Sequence, residues 1–510
     1  MRLRVLFVAS ECSPLMKTGG LGDAVAGLAR ALRRTGHDLR VLMPAYADTL
    51  AGLEASPEVA QYRPPPGLAG TRLLGTCLPP GEVPVWLFDM PGFSDRPGNP
   101  YSDDSGGSAA GIHLRFGALC RAAVAIAGGG ALPGWRADLI HCHDWHTGLV
   151  PVYALLERVA AATVFTVHNL GYQGLFPFAA LEQLQLPPWL WHYRALEYHG
   201  DLSFIKGGLC FADYLTTVSP GYAREILTPA YGEGLDGVLR ERQGALAGIL
   251  NGLDTAIWDP RRDPCLSARY SPARIAGKRR CREALCDEMG LEGRGQPVVA
   301  VIGRLAHQKG TDLLIEALPV LMTKPLRLVV LGSGEPEYEK ILKEAQAHWP
   351  GRLAVHIGHD EALAHRMIAA ADMVLMPSRF EPCGLVQMQA LRYGTVPVVR
   401  RSGGLADTVI DATAENLDGG TATGLCFDEP SARAIIGALH RALALYRDRK
   451  TWRALRRRGM EQNFRWDDSA ESYDRLYRQV LSERGAISSG PLSPPSGPDD
   501  ARTSPIDTLP

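Results

Sequence analysis

Two loops of the sequence combine glycine with cationic side chains, a combination suited to binding phosphate groups. The first, Lys17-Thr-Gly-Gly-Leu-Gly-Asp23, leads into a helix predicted over Ala24–Thr35, and the second, residues 303–310, carries Arg304 and Lys309. Glycine lets a backbone approach a ligand closely, and a helix N-terminus favours an anion. A guanidinium and an ammonium can together neutralise a diphosphate. We therefore expect both loops to contact one anionic ligand.

A carboxylate stands in a third loop, Ser378-Arg-Phe-Glu-Pro-Cys-Gly-Leu385, which follows a predicted strand at 373–377. Pro382 is expected to hold Glu381 extended, and Gly384 to begin a helix with free N–H groups. This arrangement suits a sugar nucleotide, with hydroxyls bound by Glu381 and phosphates bound by the amides. The alternative is that Glu381 only supplies a favourable charge at a helix start.

Histidines form the most conspicuous polar cluster, His141-Cys-His-Asp-Trp-His146, and Val167-His-Asn169 ends a neighbouring predicted strand. Zinc is one interpretation, because His141 and His143 would share one face of a strand. The sequence offers no convincing fourth ligand. The other interpretation is a strand end whose polar side chains face a sugar.

Two nucleotide-binding patterns are excluded. The segment Gly20-Leu-Gly-Asp-Ala-Val25 lacks the third small residue of a dinucleotide fingerprint, and it lies about ten residues after its strand. No acidic residue closes the second predicted strand at Pro44, and no Walker A sequence is present. Neither a Rossmann cofactor nor simple ATP hydrolysis is supported.

Parallel sheets must position these loops, because short apolar runs alternate with helical patterns along most of the chain. The series breaks in a loop-rich stretch near 255–265 and starts again at Pro297. We predict an α/β fold of two doubly wound domains, 1–255 and 256–462. Residues 485–510 are rich in Ser, Pro and Gly, which predicts a disordered tail.

Composition excludes several classes of protein. The 510 residues carry 54 Lys plus Arg against 55 Asp plus Glu, so neither nucleic acid nor a membrane surface is expected as the partner. The N-terminal apolar run is too short for a signal peptide. Ten cysteines without a C-x-x-C pair fit a reduced, cytoplasmic protein.

Taken in order, the motifs resemble those of bacterial glycogen synthases and plant starch synthases, over residues 1 to about 480. Besides the loops above, they include the following segments: Asp95-Arg-Pro-Gly-Asn-Pro-Tyr101, His143-Asp-Trp-His146, His168-Asn169 and Asn251-Gly-Leu-Asp254. The resemblance implies a B-type glycosyltransferase fold, with Rossmann-like domains facing a central cleft and a helix at 463–484 crossing back to the first domain. It implies transfer of glucose from ADP-glucose to the non-reducing 4-hydroxyl of an α-1,4-glucan (glycogen), with retention. No metal and no cofactor are implied.

The resemblance also implies roles for particular residues. The first domain, on the acceptor side, would contact the donor through Lys17 and Gly20. The second, on the nucleotide-sugar side, would neutralise the diphosphate through Arg304 and Lys309, aided by the backbone around Cys383, Gly384 and Leu385. Glu381 and His168 would hold the glucosyl hydroxyls. The reaction centre would be lined by Asp144, Asn169 and Asn251, and the remaining cleft candidates are Glu11, Asp23 and Tyr101.

Two departures from the family pattern bear on the nucleotide. His359 stands where bacterial members carry a Tyr near the adenine, and Val386 replaces a common Thr near the phosphates. UDP-glucose or a small acceptor is therefore one alternative, and a non-catalytic glucan-binding protein is another. The paired cations argue against the latter. A phosphorylase is a further alternative; it would require a pyridoxal cofactor, so a protein without the absorbance band of that cofactor would exclude it.

Overall fold

The computed structural model describes residues 2–53, 62–79, 83–96, 98, 100–101, 111–293 and 295–488. The strands are β1 (Arg4–Val8), β2 (Asp38–Pro44), β3 (Arg72–Leu78), β4 (Val83–Asp89), β5 (Leu139–His143), β6 (Ala162–Val167), β7 (Leu175–Pro177), β8 (Glu197–Tyr198), β9 (Asp201–Ser203), β10 (Tyr214–Thr217), β11 (Leu246–Gly248), β12 (Val298–Ile302), β13 (Arg327–Gly332), β14 (Leu353–Ile357), β15 (Met373–Met376), β16 (Val396–Arg400) and β17 (Leu425–Phe427).

The helices are α1 (Gly20–Arg34), α2 (Ala47–Ala51), α3 (Ile112–Ala127), α4 (Val150–Leu156), α5 (Ala179–Gln183), α6 (Phe204–Phe211), α7 (Pro220–Glu225), α8 (Asp236–Glu241), α9 (Ala276–Glu288), α10 (Thr311–Leu321), α11 (Pro336–His348), α12 (Glu361–Ala370), α13 (Val386–Arg392), α14 (Gly403–Thr408), α15 (Ala414–Asp418), α16 (Ala432–Arg447), α17 (Arg449–Glu461) and α18 (Trp466–Ser488). Short 3-10 turns cover Trp145–Thr147, Pro188–Leu190, Gln243–Ala245 and His307–Lys309.

Two separate sheets organise the chain. The first has the order β11-β10-β6-β5-β1-β2-β4-β3 and is parallel except for β3 at its edge. The second, β14-β13-β12-β15-β16-β17, is parallel throughout. Every residue of β5, β6 and β13 is buried, as expected for strands covered by helices on both faces. The prediction of two doubly wound domains is therefore confirmed.

Each sheet reverses its strand order at one point, and the crevice there is where α/β proteins bind ligands. In the first sheet β1 lies between β2 and β5, and in the second β12 lies between β13 and β15. The loops after β1, β5, β12 and β15 are among those singled out from sequence. Strand order thus brings these four loops to the two switch points.

Two of the helices that follow these loops, α1 and α13, begin at positions other than those predicted. Helix α1 begins at Gly20, not at Ala24, so Gly20 and Gly22 lie in its first turn. The carboxylate of Glu11 accepts the N–H of Thr18 at 2.8 Å, which orders the entry to this turn. Helix α13 begins at Val386, because Gly384 adopts a left-handed φ of 69° that no helix continues.

The last helix, α18, packs against the first domain. Trp466, Tyr473 and Tyr477 belong to that domain's hydrophobic core. A Cβ on Gly27 of α1 would lie 2.0 Å from Nε1 of Trp466, so only glycine allows this close approach. The helix continues to Ser488, so the first four residues of the predicted tail, 485–488, are helical. The rest of that tail, 489–510, lies outside the described residues, and the proposed domain boundaries stay predictions.

Candidate active site

The first wall of the cleft is built around the buried carboxylate of Glu11, directly after β1. Its Oε1 accepts the hydroxyl of Thr18 at 2.5 Å and that of Tyr101 at 2.7 Å, while Oε2 accepts the N–H of Thr18 at 2.8 Å. Burial raises the pKa of Tyr101 well above its ordinary value, so its hydroxyl stays protonated as a donor. Glu11 therefore shapes the Lys17 loop, and its predicted contact with substrate stays a prediction.

Lys17 lies between two carboxylates, one from each domain. Its Nζ is 3.0 Å from Oδ2 of Asp23 and 3.2 Å from Oε1 of Glu361, the first residue of α12. Burial lowers the pKa of Lys17, but these carboxylates outweigh it, and the net pKa is raised. The ammonium is thus charged and held at the cleft. Beside it, a Cβ on Gly20 would be 3.7 Å from Cδ1 of Leu385 on the opposite wall.

On the second domain, Lys309 and Glu381 form one ion pair. Nζ of Lys309 donates to Oε2 of Glu381 at 2.6 Å, and the hydroxyl of Ser378 donates to the same oxygen at 3.0 Å. The N–H of Gly404 donates to the Glu381 carbonyl at 3.0 Å and fixes the backbone. The Glu381 side chain is 7% exposed and that of Lys309 is 25% exposed, so the pair lies at the cleft's inner surface.

Arg304 crosses the cleft, and it pairs with no carboxylate among the described residues. Its guanidinium donates to the hydroxyl of Tyr172 from the first domain, and Nη2 donates to Oε1 of Gln308 at 3.0 Å. Beside this contact, a Cβ on Gly171 would lie 3.8 Å from Cζ of Phe380. A guanidinium has five N–H donors, so Arg304 keeps capacity for an anion.

Asp144 follows β5 in an unusual backbone conformation, with a φ of 63° in the left-handed region. Burial raises the pKa of its carboxyl group to about 8, although the amides of Trp145, Asn169 and His168 lower it in part. Its Oδ1 is buried and has no hydrogen-bond partner among the described residues. Strain and an unpaired polar atom at one position are typical of functional sites.

His168 and Asn169 follow β6, the neighbour of β5. Nε2 of His168 is 3.1 Å from Nδ1 of His143, and burial lowers the pKa of His168 to about 3. Oδ1 of Asn169 accepts the N–H of Gly171 at 3.0 Å, so this side chain also orders its own loop. Both ring nitrogens of His141 are engaged, by Thr166 and Tyr477, which leaves His141 unsuited to a metal ion.

The residues after Glu381 pack against the first domain. Burial raises the pKa of Cys383 to about 12, and the backbone N–H of Asn251 contacts its sulfur. The thiol is therefore protonated and does not serve as a nucleophile. Asn251 is itself buried. The hydroxyl of Ser219 donates to the carbonyl of Pro382 at 2.6 Å, another bond between the domains.

Two residues that sequence reasoning missed contact the predicted cations. Glu361 pairs with Lys17, and Tyr172 pairs with Arg304. Glu361 ends the segment Gly358-His-Asp-Glu361, and Tyr172 lies three residues after Asn169. The only sequence signal that could have indicated Glu361 and Tyr172 was therefore their position beside residues already singled out. Residues Lys17, Asp23, Glu381 and Lys309 are brought together in pairs, and their roles toward substrate stay predictions.

Comparison with known protein families agrees with this geometry. The family described as starch synthase catalytic domain matches residues 4–241, and the one described as glycosyl transferases group 1 matches residues 289–458. A glycogen synthase of Thioalkalivibrio sulfidiphilus is 49% identical over 484 residues, covering 94% of this chain and all of that protein. The chain belongs to the glycogen synthase and starch synthase family of glycosyltransferases.

Further relatives agree with this assignment, so the resemblance seen in the sequence motifs is confirmed. Glycogen synthase 1 of Methylococcus capsulatus is 48% identical, over 95% of this chain and 98% of its own length. The catalytic domain of starch synthase IV from Arabidopsis thaliana, bound to ADP and acarbose, superposes with a TM-score of 0.84 at 30% identity, covering 94% of this chain and all of that one.

A more distant structure, sucrose-phosphate synthase from Thermosynechococcus elongatus, has a TM-score of 0.60 at 18% identity and shows the fold alone; it covers 94% of this chain and all of that one. These neighbours confirm the predicted B-type glycosyltransferase fold. Among the described residues, no helix combines the length and apolar character needed to cross a membrane.

Proposed function

We propose that this glycosyltransferase moves the glucosyl group of ADP-glucose to the non-reducing 4-hydroxyl of an α-1,4-glucan such as glycogen, with retention at the anomeric carbon. The observation that carries the proposal is the set of cations from both domains around one carboxylate-bearing cleft. The related plant starch synthase with bound ADP and acarbose supports the nucleotide and the glucan.

The cations would stabilise the departing diphosphate. An ammonium has three N–H donors, and within the described part of the chain Lys309 uses one of them on Glu381, which leaves two for phosphate oxygens. Arg304 would add a fork-shaped contact, and Lys17 would approach from the other domain. Negative charge develops on the leaving oxygen during transfer, and preorganised positive groups stabilise this charge most strongly in the transition state. The amides near Gly384 and Leu385 would complete this contact.

Carboxylate and imidazole groups would orient the sugar. Glu381 keeps Oε1 free of the Lys309 and Ser378 contacts, which both use Oε2, and Oε1 can accept a sugar hydroxyl. His168 can donate from Nδ1. Asp144, Asn169 and Asn251 would line the reaction centre between the two walls. The chemistry proposed needs no cofactor, because the leaving group is already activated as a diphosphate.

Incorporation of labelled glucose into glycogen tests the proposal. ADP-glucose and UDP-glucose are compared as donors, and an exo-acting hydrolase specific for α-1,4 bonds should release all of the incorporated label. Incorporation from neither donor would refute the proposal, and label resistant to that enzyme would refute retention. UDP-glucose as the better donor would correct the nucleotide alone, and His359→Tyr, an exposed position, then tests whether this ring sets the preference.

A matched pair of variants separates the site from general effects of charge. Glu381→Gln keeps the size of the side chain but removes the partner of Lys309, and we expect at least a hundredfold lower turnover. Glu429→Gln makes the same change on the exposed surface and should leave turnover unchanged. Equal activity of both variants would contradict the role given to Glu381.

Ten unpaired thiols support the cytoplasm as the compartment.

A further inference from the structure

Three histidine rings lie next to one another at the proposed reaction centre, those of His141, His143 and His168. The proposed chemistry uses only His168. His141 and His143 stand on β5 with ring centroids 4.2 Å apart, and His143 lies 5.3 Å from the ring of His168 after β6. His143 is 1% exposed, whereas His168 is partly exposed. His168 therefore meets the cleft, and His143 stands behind it.

All of these rings are neutral at physiological pH. Burial lowers the pKa of His141 and His143 well below the ordinary value and that of His168 to about 3. A neutral imidazole carries one N–H donor and one lone pair. In the contact between Nδ1 of His143 and Nε2 of His168, 3.1 Å apart, one ring must therefore donate and the other must accept.

The second nitrogen of His143 decides which ring donates. Nε2 of His143 is buried and has no hydrogen-bond partner in the described part of the chain. If His168 donated, the proton of His143 would sit on this Nε2 as a buried N–H without an acceptor, and such orphaned donors are rare and costly. If His143 donates from Nδ1, only a lone pair is left unpaired, which costs less.

The same choice fixes the proton of His168. Its Nε2 then accepts, so its N–H lies on Nδ1, the nitrogen that the contact with His143 does not use. We propose that His143 is a positioning residue: its Nδ1–H donates to Nε2 of His168 and thereby keeps an N–H at Nδ1 for a hydroxyl of the transferred sugar. The sugar in this statement rests on the proposed function; the tautomer does not.

Nitrogen NMR tests the tautomer without any substrate. In protein labelled with ¹⁵N-histidine, long-range proton–nitrogen spectra distinguish a protonated Nδ1 from a protonated Nε2, and the signal absent from His168→Asn identifies His168. We expect protonation at Nδ1 in the wild type. A proton on Nε2 would overturn the proposal outright, even if every His143 variant failed to fold.

Two variants extend the test. His143→Asn retains an N–H donor close to the Nδ1 position and should keep the wild-type tautomer, whereas His143→Leu removes the donor and should lose it. Turnover should fall about tenfold in His143→Leu, the order of one neutral hydrogen bond, and recover within about threefold in His143→Asn. An unchanged His168 spectrum in folded His143→Leu would contradict the proposal.

A double variant separates positioning from packing. If His143 acts through His168, the pair His143→Leu with His168→Ala should be no slower than His168→Ala alone. Independent, additive losses would show that His143 only fills space. Activity with neither donor would refute the proposed function while leaving the NMR result to decide the role of His143.

Discussion

The carboxyl group of Asp144 should make the first domain less stable as pH rises, and replacing it with Asn should remove this effect. Burial raises the pKa of this group to about 8 in the folded protein, from an ordinary value of 3.8. The folded state therefore binds a proton that the unfolded state releases above about pH 4. Stability is lost as pH rises from about 4 to 8, and above pH 8 the loss is complete.

The magnitude follows from the width of that window. Each pH unit inside it costs about 1.4 kcal/mol, because the folded state alone keeps the proton. Between pH 5.5 and 7.5, Asp144→Asn should therefore gain about 3 kcal/mol of stability relative to the wild type. The residue is buried, so screening by solvent does not reduce this figure. Any fixed difference between a carboxyl and an amide cancels in the comparison of the two pH values.

Urea unfolding at pH 5.5 and 7.5 provides the assay, with hydrogen exchange of peptides from β5 and β6 reporting the first domain's own transition. The control is Asp467→Asn, which makes the same change at a side chain that is 58% exposed. A constant stability difference between Asp144→Asn and wild type at both pH values would refute the reasoning. It would show that the surrounding amides hold the carboxylate ionised.

Three further outcomes are expected. Lys309→Ala should lower kcat/KM for the donor by at least a hundredfold, about 3 kcal/mol in the activation free energy. Lys450→Ala, on the exposed surface, should leave kcat/KM unchanged. Equal kcat/KM for the two variants would contradict a contact between Lys309 and the diphosphate. Gly403→Ala places a Cβ 2.1 Å from the Glu381 carbonyl oxygen at a φ of 42°, so urea unfolding should show a free energy of unfolding lower by at least about 1 kcal/mol. Gly437→Ala, in open space on α16, should instead raise the free energy of unfolding by about 1 kcal/mol. Wild-type stability of Gly403→Ala would contradict this packing. Tyr477→Phe removes the 2.7 Å hydrogen bond to His141 and should lower the free energy of thermal unfolding by about 1 kcal/mol. Tyr193→Phe, at a residue that is 62% exposed, is the control and should leave the melting temperature unchanged. Equal melting temperatures for the two variants would show that the bond to His141 adds no stability.

Local patterns were sufficient to predict two domains with parallel sheets and crossover helices, but not the order of the strands. Continuous apolar runs such as Val298–Ile302 indicate strands buried on both faces, and glycine loops after them mark the switch points. The start of α1 was mistaken by four residues, because Gly22, which looked like part of a loop, packs closely within the first turn of the helix. A Cβ on Gly22 would lie 2.9 Å from the carbonyl of Met16, and such a contact cannot be read from neighbouring residues.

Partners far apart in sequence were beyond prediction. Lys17 and Glu361 are 344 positions apart, and their pairing depends on how two domains face each other. The sequence motifs indicated which side chains carry charge, but not that Lys309 and Glu381 form an ion pair with one another. The role of His143 depends on which buried nitrogen lacks a partner, and this is defined only once β5 and β6 are side by side.

The position of α18 also constrains the order in which the chain can fold during synthesis. Tyr477 and its partner His141 are 336 positions apart, so at usual elongation rates roughly 20 to 70 seconds separate their appearance. The first domain meanwhile lacks Trp466, Tyr473 and Tyr477, which complete its core. During this interval the apolar face that α18 covers in the finished protein is exposed on the first domain. The second domain can complete its own sheet before α18 is synthesised. A chaperone that shields this face would act on a folding intermediate that is nearly complete but still one helix short.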